Sequence, residues 1–340
     1  MSRASEHSFD TPTPVILGDG QDVNPALGAA DSISAEQAAE AGSLAALGAS
    51  GEEWTRPHSN LWADAFRRLI RNRLALIGLI IVTVFVLIAL LAPILAPYGQ
   101  SEVVDVRLTR FAPSWNWPMG LDKNGRDIFS RLMWGARVSL IVGLASYALI
   151  LCIALPFGSI AGFYGGVTDT ILMRIVDVIY TIPQVLLVML FVNARGASLI
   201  NIILGIGLIG WTTEARLIRA QFLTLREQEY VKASRVAGAS GPYIIMRHLL
   251  PNSLTPIIVA ATFGIPTAIF IEAALSFVGV GIQPPQASWG QMVGAASTPA
   301  DIISDPHMLI FPVIAIGLVM LGFTFLGDGL RDALDPKGND

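Results

Sequence analysis

Residue groupings that could act on a substrate or hold a metal ion are scarce in this sequence. It has four histidines and one cysteine, all far apart: His7, His58, His248, His307 and Cys152. Zinc sites are typically built from His and Cys residues at short spacing, and no such spacing occurs. No Ser-His-Asp set is recognisable, although such sets form in space rather than in sequence. The sequence therefore predicts neither a metal site nor catalytic residues.

One short polar segment could suggest a calcium loop, because Asp122, Asn124 and Asp127 follow one another closely. An EF-hand loop needs glycine at its sixth position and glutamate at its twelfth. Here Gly125 comes fourth in the segment and Arg126 adds a positive charge. We expect instead that Arg126 pairs with Asp127 inside a folded loop.

The sequence lacks the machinery to handle phosphates. It contains no G-x-x-x-x-G-K-[ST] motif, whose backbone amides would cradle the phosphates of ATP. Its net charge of −4 also argues against nucleic acid as a partner, since no basic face is available to neutralise phosphates. We expect no cofactor in this chain.

Composition points to a membrane protein. Of 340 residues, 53% are hydrophobic and 14% are charged, against about a quarter charged in soluble domains, and the mean hydropathy is +0.59. A bilayer core needs roughly 20 apolar helical residues. Six segments qualify as candidate spans: 74–96, 138–161, 175–192, 199–213, 254–271 and 308–326.

The spans divide the chain into segments. Residues 1–60 are predicted to form a disordered acidic cytoplasmic tail, with a regulatory helix near 35–47 as the alternative. Residues 61–97 form a basic flank and the first span, and 98–137 an extracytoplasmic loop. Residues 138–327 form a core with five spans, and 328–340 a cytoplasmic tail.

The basic residues set the predicted orientation. Four arginines lie directly before the first span, at positions 67, 68, 71 and 73, and place the N-terminus in the cytoplasm. Segment 214–253 is basic and segment 276–307 lacks Lys and Arg, in agreement. The loop 98–137 conflicts, because it should lie outside yet holds six basic residues. We follow the first span and predict that both termini are cytoplasmic.

The segment between the fourth and fifth spans is the most informative. Helical spacing predicts that 219–237 forms one helix, with Phe222, Leu225, Glu229, Ala233 and Val236 on one face. Gly238 occupies a helix C-cap position, and Ser240 or Gly241 can cap a second helix with Pro242 in its first turn. Because connectors need only a few residues, this elbow is expected to dock a partner; a plain connector is the alternative.

The elbow resembles the EAA loop of binding-protein-dependent ABC importer permeases, E-A-A-x3-G-x9-I-x-L-P. Ala233 matches the first alanine, Ser234 replaces the second, Gly238 matches the glycine, and Leu250 with Pro251 match the end. Lys232 replaces the glutamate and His248 the isoleucine. The resemblance implies ATPase docking by ten residues: Arg226, Glu229, Tyr230, Lys232, Ala233, Ser234, Gly238, Ala239, His248 and Pro251.

Three further stretches resemble the dipeptide/oligopeptide/nickel group of these permeases. Residues 120–131 are similar to its G-T-D-x-x-G-R-D-x-x-S-R signature, with Leu121 in place of threonine. Residues 274–290 resemble its fifth outer loop, and 327–336 its C-terminal stop. The resemblance runs from about Leu61 to the C-terminus.

The resemblance implies an all-α integral membrane protein with six transmembrane helices, a cytoplasmic coupling-helix elbow and the ABC importer permease fold. It implies a bacterial inner membrane location and import of dipeptides or oligopeptides by alternating access, with nickel or another small solute as the alternative. The implied partners are a second permease subunit in a heterodimer, two cytoplasmic ATPase subunits that hold ATP-Mg, and an extracytoplasmic binding protein.

Charged residues near the spans leave alternatives open. Glu272 at the outer end of the fifth span either reaches water at the membrane interface or lines the transport pathway. Asp169, Arg174 and Asp177 are expected to pair with one another at helical spacing. The pairs Gly158–Gly162 and Gly162–Gly166 predict close helix packing.

Two rival classes of function remain. A secondary transporter or channel would need ion-coupling acids or polar rings within the spans, and the predicted spans offer few. An intramembrane enzyme would need a catalytic set, and none is recognisable.

Overall fold

Twelve α-helices make up the part of the chain that the structure, a computed structural model, describes, which is residues 61–334. Their bounds are α1 Leu61–Arg71, α2 Arg73–Leu95, α3 Ile128–Tyr164, α4 Gly166–Tyr180, α5 Gln184–Arg195, α6 Leu199–Leu225, α7 Glu229–Val236, α8 Gly241–Ile244, α9 Leu250–Phe277, α10 Trp289–Ala295, α11 Pro299–Ser304 and α12 His307–Leu334. A π-helical turn, Ile245–Leu249, joins α8 to α9. The predicted tail 1–60 lies outside these residues, as do 335–340.

Four helical segments among residues 61–334 are long and apolar enough to cross a membrane: α2, α3, the stretch from α8 through α9, and α12. A fifth candidate is the pair α4 and α5, bent by 78° at its break. The predicted count of six spans is therefore not confirmed. The predicted third span covers this break, and the predicted fourth is only the first half of α6, whose second half carries Glu214, Arg216 and Arg219.

Several helix ends differ from the prediction. Helix α3 begins at Ile128, inside the predicted loop 98–137, because Asp127 caps it by accepting a hydrogen bond from the Ser130 amide at 2.8 Å. Helix α12 continues to Leu334, well into the predicted tail 328–340. Helix α2 matches the first predicted span within a residue at each end, and Asn72 caps its start.

Glycines bring α3 and α6 into backbone contact. A β-carbon on Gly158 would lie 2.6 Å from the carbonyl oxygen of Ala215, and one on Gly162 would lie 2.7 Å from that of Arg219. The predicted close packing is thus present at this first pair. Gly166 differs, because a β-carbon there would meet nothing within 4 Å.

The connection between α2 and α3 ends in a compact polar structure, residues 120–131, which we call the α2–α3 staple. Asp122 accepts hydrogen bonds from Arg126 at 2.8 Å and lies 3.6 Å from Arg131. Arg131 also donates to Gln291 at 2.7 Å. The predicted Arg126–Asp127 pair is wrong, because Asp127 is occupied as the helix cap while Asp122 faces both arginines.

A second set of ion pairs ties the same connection to α11. Arg110 lies 2.9 Å from Asp301 and 3.1 Å from Asp305, and Lys123 also pairs with Asp301. The Asp301 side chain is 2% exposed. Four of the basic residues in the predicted outer loop are therefore neutralised by acids of the same chain: Arg110, Lys123, Arg126 and Arg131.

The acids on α4 pair with α6 and not with their own helix. Arg219 forms a two-pronged pair with Asp169, at 2.5 and 2.6 Å. Arg216 pairs with Asp177 at 2.7 Å and stacks on the ring of Tyr180 at 4.1 Å. The predicted pairing of Asp169 and Asp177 with Arg174 is wrong, because the basic second half of α6 packs against α4.

Candidate functional site: the elbow between α6 and α9

The elbow, residues 226–251, consists of two short helices. Helix α6 ends at Leu225, and after a three-residue break α7 runs from Glu229 to Val236. The chain then turns at Gly238 into α8, with Ser240 at the N-cap position, where its side chain makes no capping hydrogen bond, and Pro242 in the first turn. The cap and proline positions match the prediction. The single rigid helix predicted for 219–237 is wrong, since it is interrupted at Arg226–Gln228.

The buried face of the elbow also differs from the predicted one. Phe222 is fully buried, but Val236, expected on the same face, is 90% exposed. The break after Leu225 resets the helical phase, so Val231 becomes the residue of α7 that packs inward. Val231, Ile244 and Leu249 are at most 1% exposed and hold the elbow against the core.

Gly238 sits at the turn in a left-handed conformation, with φ of +80°. Its amide donates to the carbonyl of Arg235, and the Ala239 amide donates to that of Ser234, both at 3.0 Å. This is the Schellman arrangement, in which the residue after the C-cap favours glycine. A β-carbon on Gly238 would meet nothing within 4 Å, so the space beside it is open to a partner.

A small polar and aromatic cluster forms around His248. The His248 ring lies 6.1 Å from Tyr230 and 5.9 Å from Tyr243, measured between centroids. Its Nε2 lies 3.3 Å from the Ser234 hydroxyl, which donates to the Tyr230 carbonyl at 2.8 Å. Three of the predicted docking residues, Tyr230, Ser234 and His248, are thus brought together, and this cluster joins α7 to the π-helical turn.

Two arginines attach the elbow to the end of α3. Arg226 donates to the Gly162 carbonyl at 3.0 Å, and Arg235 stacks on the Phe163 ring at 5.0 Å. Arg226, one of the predicted docking residues, is half-buried and caps the last turn of α3, and its contact with the ATPase stays a prediction. The neighbouring Ala239 also packs inward.

The remaining predicted docking residues face outward. Glu229, Lys232, Ala233 and Gly238 lie on the exposed side of α7 and its turn, and Pro251 is exposed in the first turn of α9. Apolar side chains share this exposure, with Val236, Tyr243 and Met246 more than half exposed. The result is a mixed polar and apolar surface held on a rigid support.

Glu272 is fully buried, so neither open alternative for it holds within this chain. Its carboxylate accepts hydrogen bonds from Ser288 at 2.7 Å, Ser276 at 2.8 Å and Ser139 at 3.4 Å. These serines come from the segment before α10, from α9 and from α3. Glu272 therefore joins three elements beside the buried Trp289 and does not reach water or a cavity.

A mostly apolar cavity between α3, α5, α6 and α9, with a few polar side chains in its lining, was missed by the sequence analysis. Its volume is about 330 Å³, and Tyr147, Gln184 and Glu214 are among its lining residues. The signal in the sequence was an acid directly after the predicted fourth span, which ended at Thr213. That boundary placed Glu214 in a loop, whereas α6 continues through it.

Comparison with known proteins shows the family. Residues 154–339, more than half of the chain, match the family described as "Binding-protein-dependent transport system inner membrane component". Residues 60–113 match the "N-terminal TM domain of oligopeptide transport permease C". The chain belongs to the family of inner membrane components of binding-protein-dependent transport systems, which the resemblance of its motifs had predicted.

Curated relatives match over most of their length. The chain is 41% identical to the oligopeptide transport system permease protein OppC of Bacillus subtilis, over 86% of this chain and 95% of that protein. It is 42% identical to the dipeptide transport system permease protein DppC of Alkalihalophilus pseudofirmus, over 81% and 90%. It is 39% identical to the glutathione transport system permease protein GsiD of Pectobacterium atrosepticum, over 81% and 91%.

Among solved structures, the chain is similar to one of the inward-facing MetNI methionine ABC transporter. The identity is 20%, the TM-score is 0.48, and the match covers 61% of this chain and 98% of the other.

Proposed function

We propose that this chain is a peptide-translocating permease subunit of an ABC importer and that the exposed face of its elbow docks a separate ATPase subunit. The relatives named for oligopeptide and dipeptide transport support a peptide substrate. ATP-Mg is bound and hydrolysed by the partner ATPases. A second permease subunit, in a heterodimer, completes the pore, and an extracytoplasmic protein delivers the peptide.

The observation that carries this proposal is the construction of the elbow. Buried side chains fix it to the core on one side, while Val236 of α7 is 90% exposed on the other. Val236 precedes the stretch from Gly241 that is apolar enough to cross a membrane, so its exposure is not explained by contact with lipid. Large exposed apolar side chains with polar residues around them mark interaction sites.

The proposed orientation puts both termini and the elbow in the cytoplasm, and the α2–α3 staple outside. The basic residues of the α2–α3 connection had argued against this orientation. Pairing with Asp122, Asp301 and Asp305 ties several of them into a folded structure, but the positive-inside rule counts Lys and Arg and not net charge. The orientation therefore rests on the four arginines that precede α2.

The test is Gly238→Asp in the importer reconstituted with its partner subunits. The β-carbon costs roughly 1 kcal/mol or more of backbone strain, and the carboxylate intrudes on the open space that the ATPase would fill. We expect the variant to insert normally, to retain much less ATPase on purification and to transport poorly. Glu229→Lys on the same face should weaken ATPase retention too.

Gly279→Asp is the matched control. Gly279 ends α9 in the same Schellman arrangement, with φ of +89° and nothing within 4 Å of a β-carbon. It therefore carries the same backbone strain at the opposite end of a membrane-spanning helix and should retain the ATPase. Equal retention by Gly238→Asp and the unmodified chain would show that the elbow is a connector.

A further inference from the structure

Glu214 of α6 is a half-buried carboxylate without a basic partner among the described residues. The arginines that follow it on α6 point to another element, since Arg216 pairs with Asp177 and Arg219 with Asp169. Within residues 66–334, no salt bridge involves Glu214. Glu214 lies beside residues of α3 and α9, which belong to candidate membrane spans, and acids packed among such helices usually face a cavity or a solute pathway.

Glycines on two helices leave space for the side chains around the cavity that Glu214 faces. A β-carbon on Gly264 of α9 would lie 1.9 Å from the Tyr147 ring, and one on Gly210 of α6 would lie 2.7 Å from the Gln184 amide nitrogen. A side chain at position 264 would displace the Tyr147 ring, whereas the flexible end of Gln184 could move aside for one at position 210. The helices thus leave room for polar groups where close apolar packing would otherwise be expected.

Tyr147 is the polar side chain next to Glu214 at this cavity. It is 3% exposed, and its buried hydroxyl approaches the Glu214 carboxylate without reaching ordinary hydrogen-bond distance. Buried hydroxyls are normally hydrogen-bonded, because an unpaired one loses its bonds to water without replacement. Tyr147 borders the same cavity as Glu214 and Gln184, and Glu214 is the group that its hydroxyl can pair with.

The cavity lies beside the break in the bent pair of helices. Gln184 is the first residue of α5, directly after the break at Thr181–Pro183. A second, polar pocket runs along the break and shares Gln184 and Thr213 with the first. Discontinuous helices in transporters recur at substrate sites, where irregular backbone can face a water-filled cavity.

We propose that Glu214, with Tyr147 and Gln184, forms a transit site for the positively charged amino terminus of a peptide; this inference rests on the proposed function. The walls around these groups are apolar side chains, including Ile150, Ile206 and Phe263. An ammonium group that enters such surroundings loses its hydration. A charge-assisted hydrogen bond to a carboxylate, which is strong at low dielectric, compensates for that loss. Glu214 therefore lowers the barrier to passage after the binding protein has released the peptide.

The test replaces the charge and then restores it. Cys152 is the only cysteine of the chain, so Cys152→Ala provides a background in which Glu214→Cys carries the single thiol. Uptake of labelled trialanine, whose only ammonium is its amino terminus, is measured in proteoliposomes holding the importer with its partner subunits. We expect Glu214→Cys to lower the maximal rate roughly tenfold or more, with the half-saturating concentration unchanged.

Charged reagents that modify the thiol then distinguish the effect of charge at position 214 from the effect of side-chain size, in the same protein sample. A sulfonate-bearing methanethiosulfonate should raise uptake towards the background rate, and a trimethylammonium-bearing one should lower it further. Glu102→Cys, at an exposed position, should respond to neither reagent. Glu214→Gln, which keeps the side-chain shape, should show the same loss if Glu214→Cys inserts poorly.

The outcomes distinguish the two proposals. If the background importer takes up no trialanine with ATP, the proposed function fails and the transit site fails with it. If the background importer does take up trialanine, the proposed function stands. The transit site is then overturned by either of two results: Glu214→Cys and Glu214→Gln take up trialanine as fast as the background, or the two reagents change uptake in the same direction.

Discussion

The α2–α3 staple and the elbow are both made of charged residues and glycines at motif-like spacing, but they use them in opposite ways. In the staple, Asp122 pairs with Arg126 and Arg131, whose side chains are 8% and 2% exposed. In the elbow, Glu229 and Lys232 are exposed and take part in no salt bridge within residues 66–334. Charged residues that pair with one another within the chain stabilise the fold. Exposed charged residues that have no such pair are available to a partner protein.

The glycines show the same contrast. Gly125 of the staple has φ of +71°, and a β-carbon there would lie 2.2 Å from the carbonyl oxygen of Asp105. Gly238 of the elbow has nearly the same φ and open space around it. Gly125 allows a close approach to another part of the chain as well as a turn. Gly238 allows the turn alone.

The strongest test of the contrast is Asp122→Asn. It removes the carboxylate that faces two nearly buried guanidinium groups, which should cost about 3–5 kcal/mol in the free energy of unfolding. The measurement is an SDS titration in mixed micelles. Asp177→Asn is the control, because its pair with Arg216 is 51% and 39% exposed and should cost at most about 1 kcal/mol. Similar losses in both variants would contradict the structural role of the staple.

Alanine at the two glycines should separate strain from contact. Both positions have positive φ, so each substitution carries about 1 kcal/mol of backbone strain. Gly125→Ala adds the clash with Asp105, and overpacking of this kind costs typically 1–3 kcal/mol more. The same titration should therefore find Gly125→Ala less stable than Gly238→Ala, and the reverse order would break the comparison.

The junction between the α2–α3 connection and α11 should make stability depend on pH. The hydrogen bond from Lys123, with help from the Thr298 hydroxyl and the charge of Arg110, lowers the pKa of Asp301 from 3.8 to about 2. As the pH falls, the Asp301 carboxylate therefore takes up a proton in the unfolded chain before it does so in the folded chain. Its contribution to the stability of the folded chain is complete above pH about 5 and declines as the pH falls from about 4 towards 2.

Asp301→Asn isolates that contribution. The difference in thermal midpoint between the unmodified chain and the variant should be constant near neutral pH and shrink in the acid range. A difference that stays the same down to pH about 2 would show that Asp301 is not held ionised by its partners.

The smallest effect on stability is expected for Glu229→Gln. Glu229 is exposed in the first turn of α7, so losing its charge should change the free energy of unfolding by less than about 0.5 kcal/mol. The SDS titration should not distinguish the variant from the unmodified chain. A loss of several kcal/mol would place Glu229 among the structural charges and make the elbow resemble the staple.

The sequence could predict what local patterns determine. The first span, the turn at Gly238 and the start of α8 at Ser240 follow from hydropathy, from the need for positive φ and from residue preferences at helix starts. The motifs of the elbow and of residues 120–131 also indicated the family. These features depend on residues close together in the chain, and the structure has them where they were expected.

Pairing over distance could not be predicted in the same way. Asp122 and Asp127 are equally plausible partners for Arg126 until the cap of α3 occupies one of them. Asp169 pairs with an arginine of another helix, and Glu272 accepts hydrogen bonds from serines of three different segments. The break after Leu225 was missed because helical periodicity continues across it in the sequence, and the end assigned to the fourth span hid Glu214.

The glycine contacts between α3 and α6 have a mechanical consequence. Because backbone approaches backbone at Gly158 and Gly162, no long side chain separates the two helices there that could deform and absorb a displacement. Arg226 and Arg235 of the elbow hold the end of α3, so a force on the elbow acts on both helices at once. The two helices should therefore tilt together as one stiff unit, about 40 Å long by the length of α6.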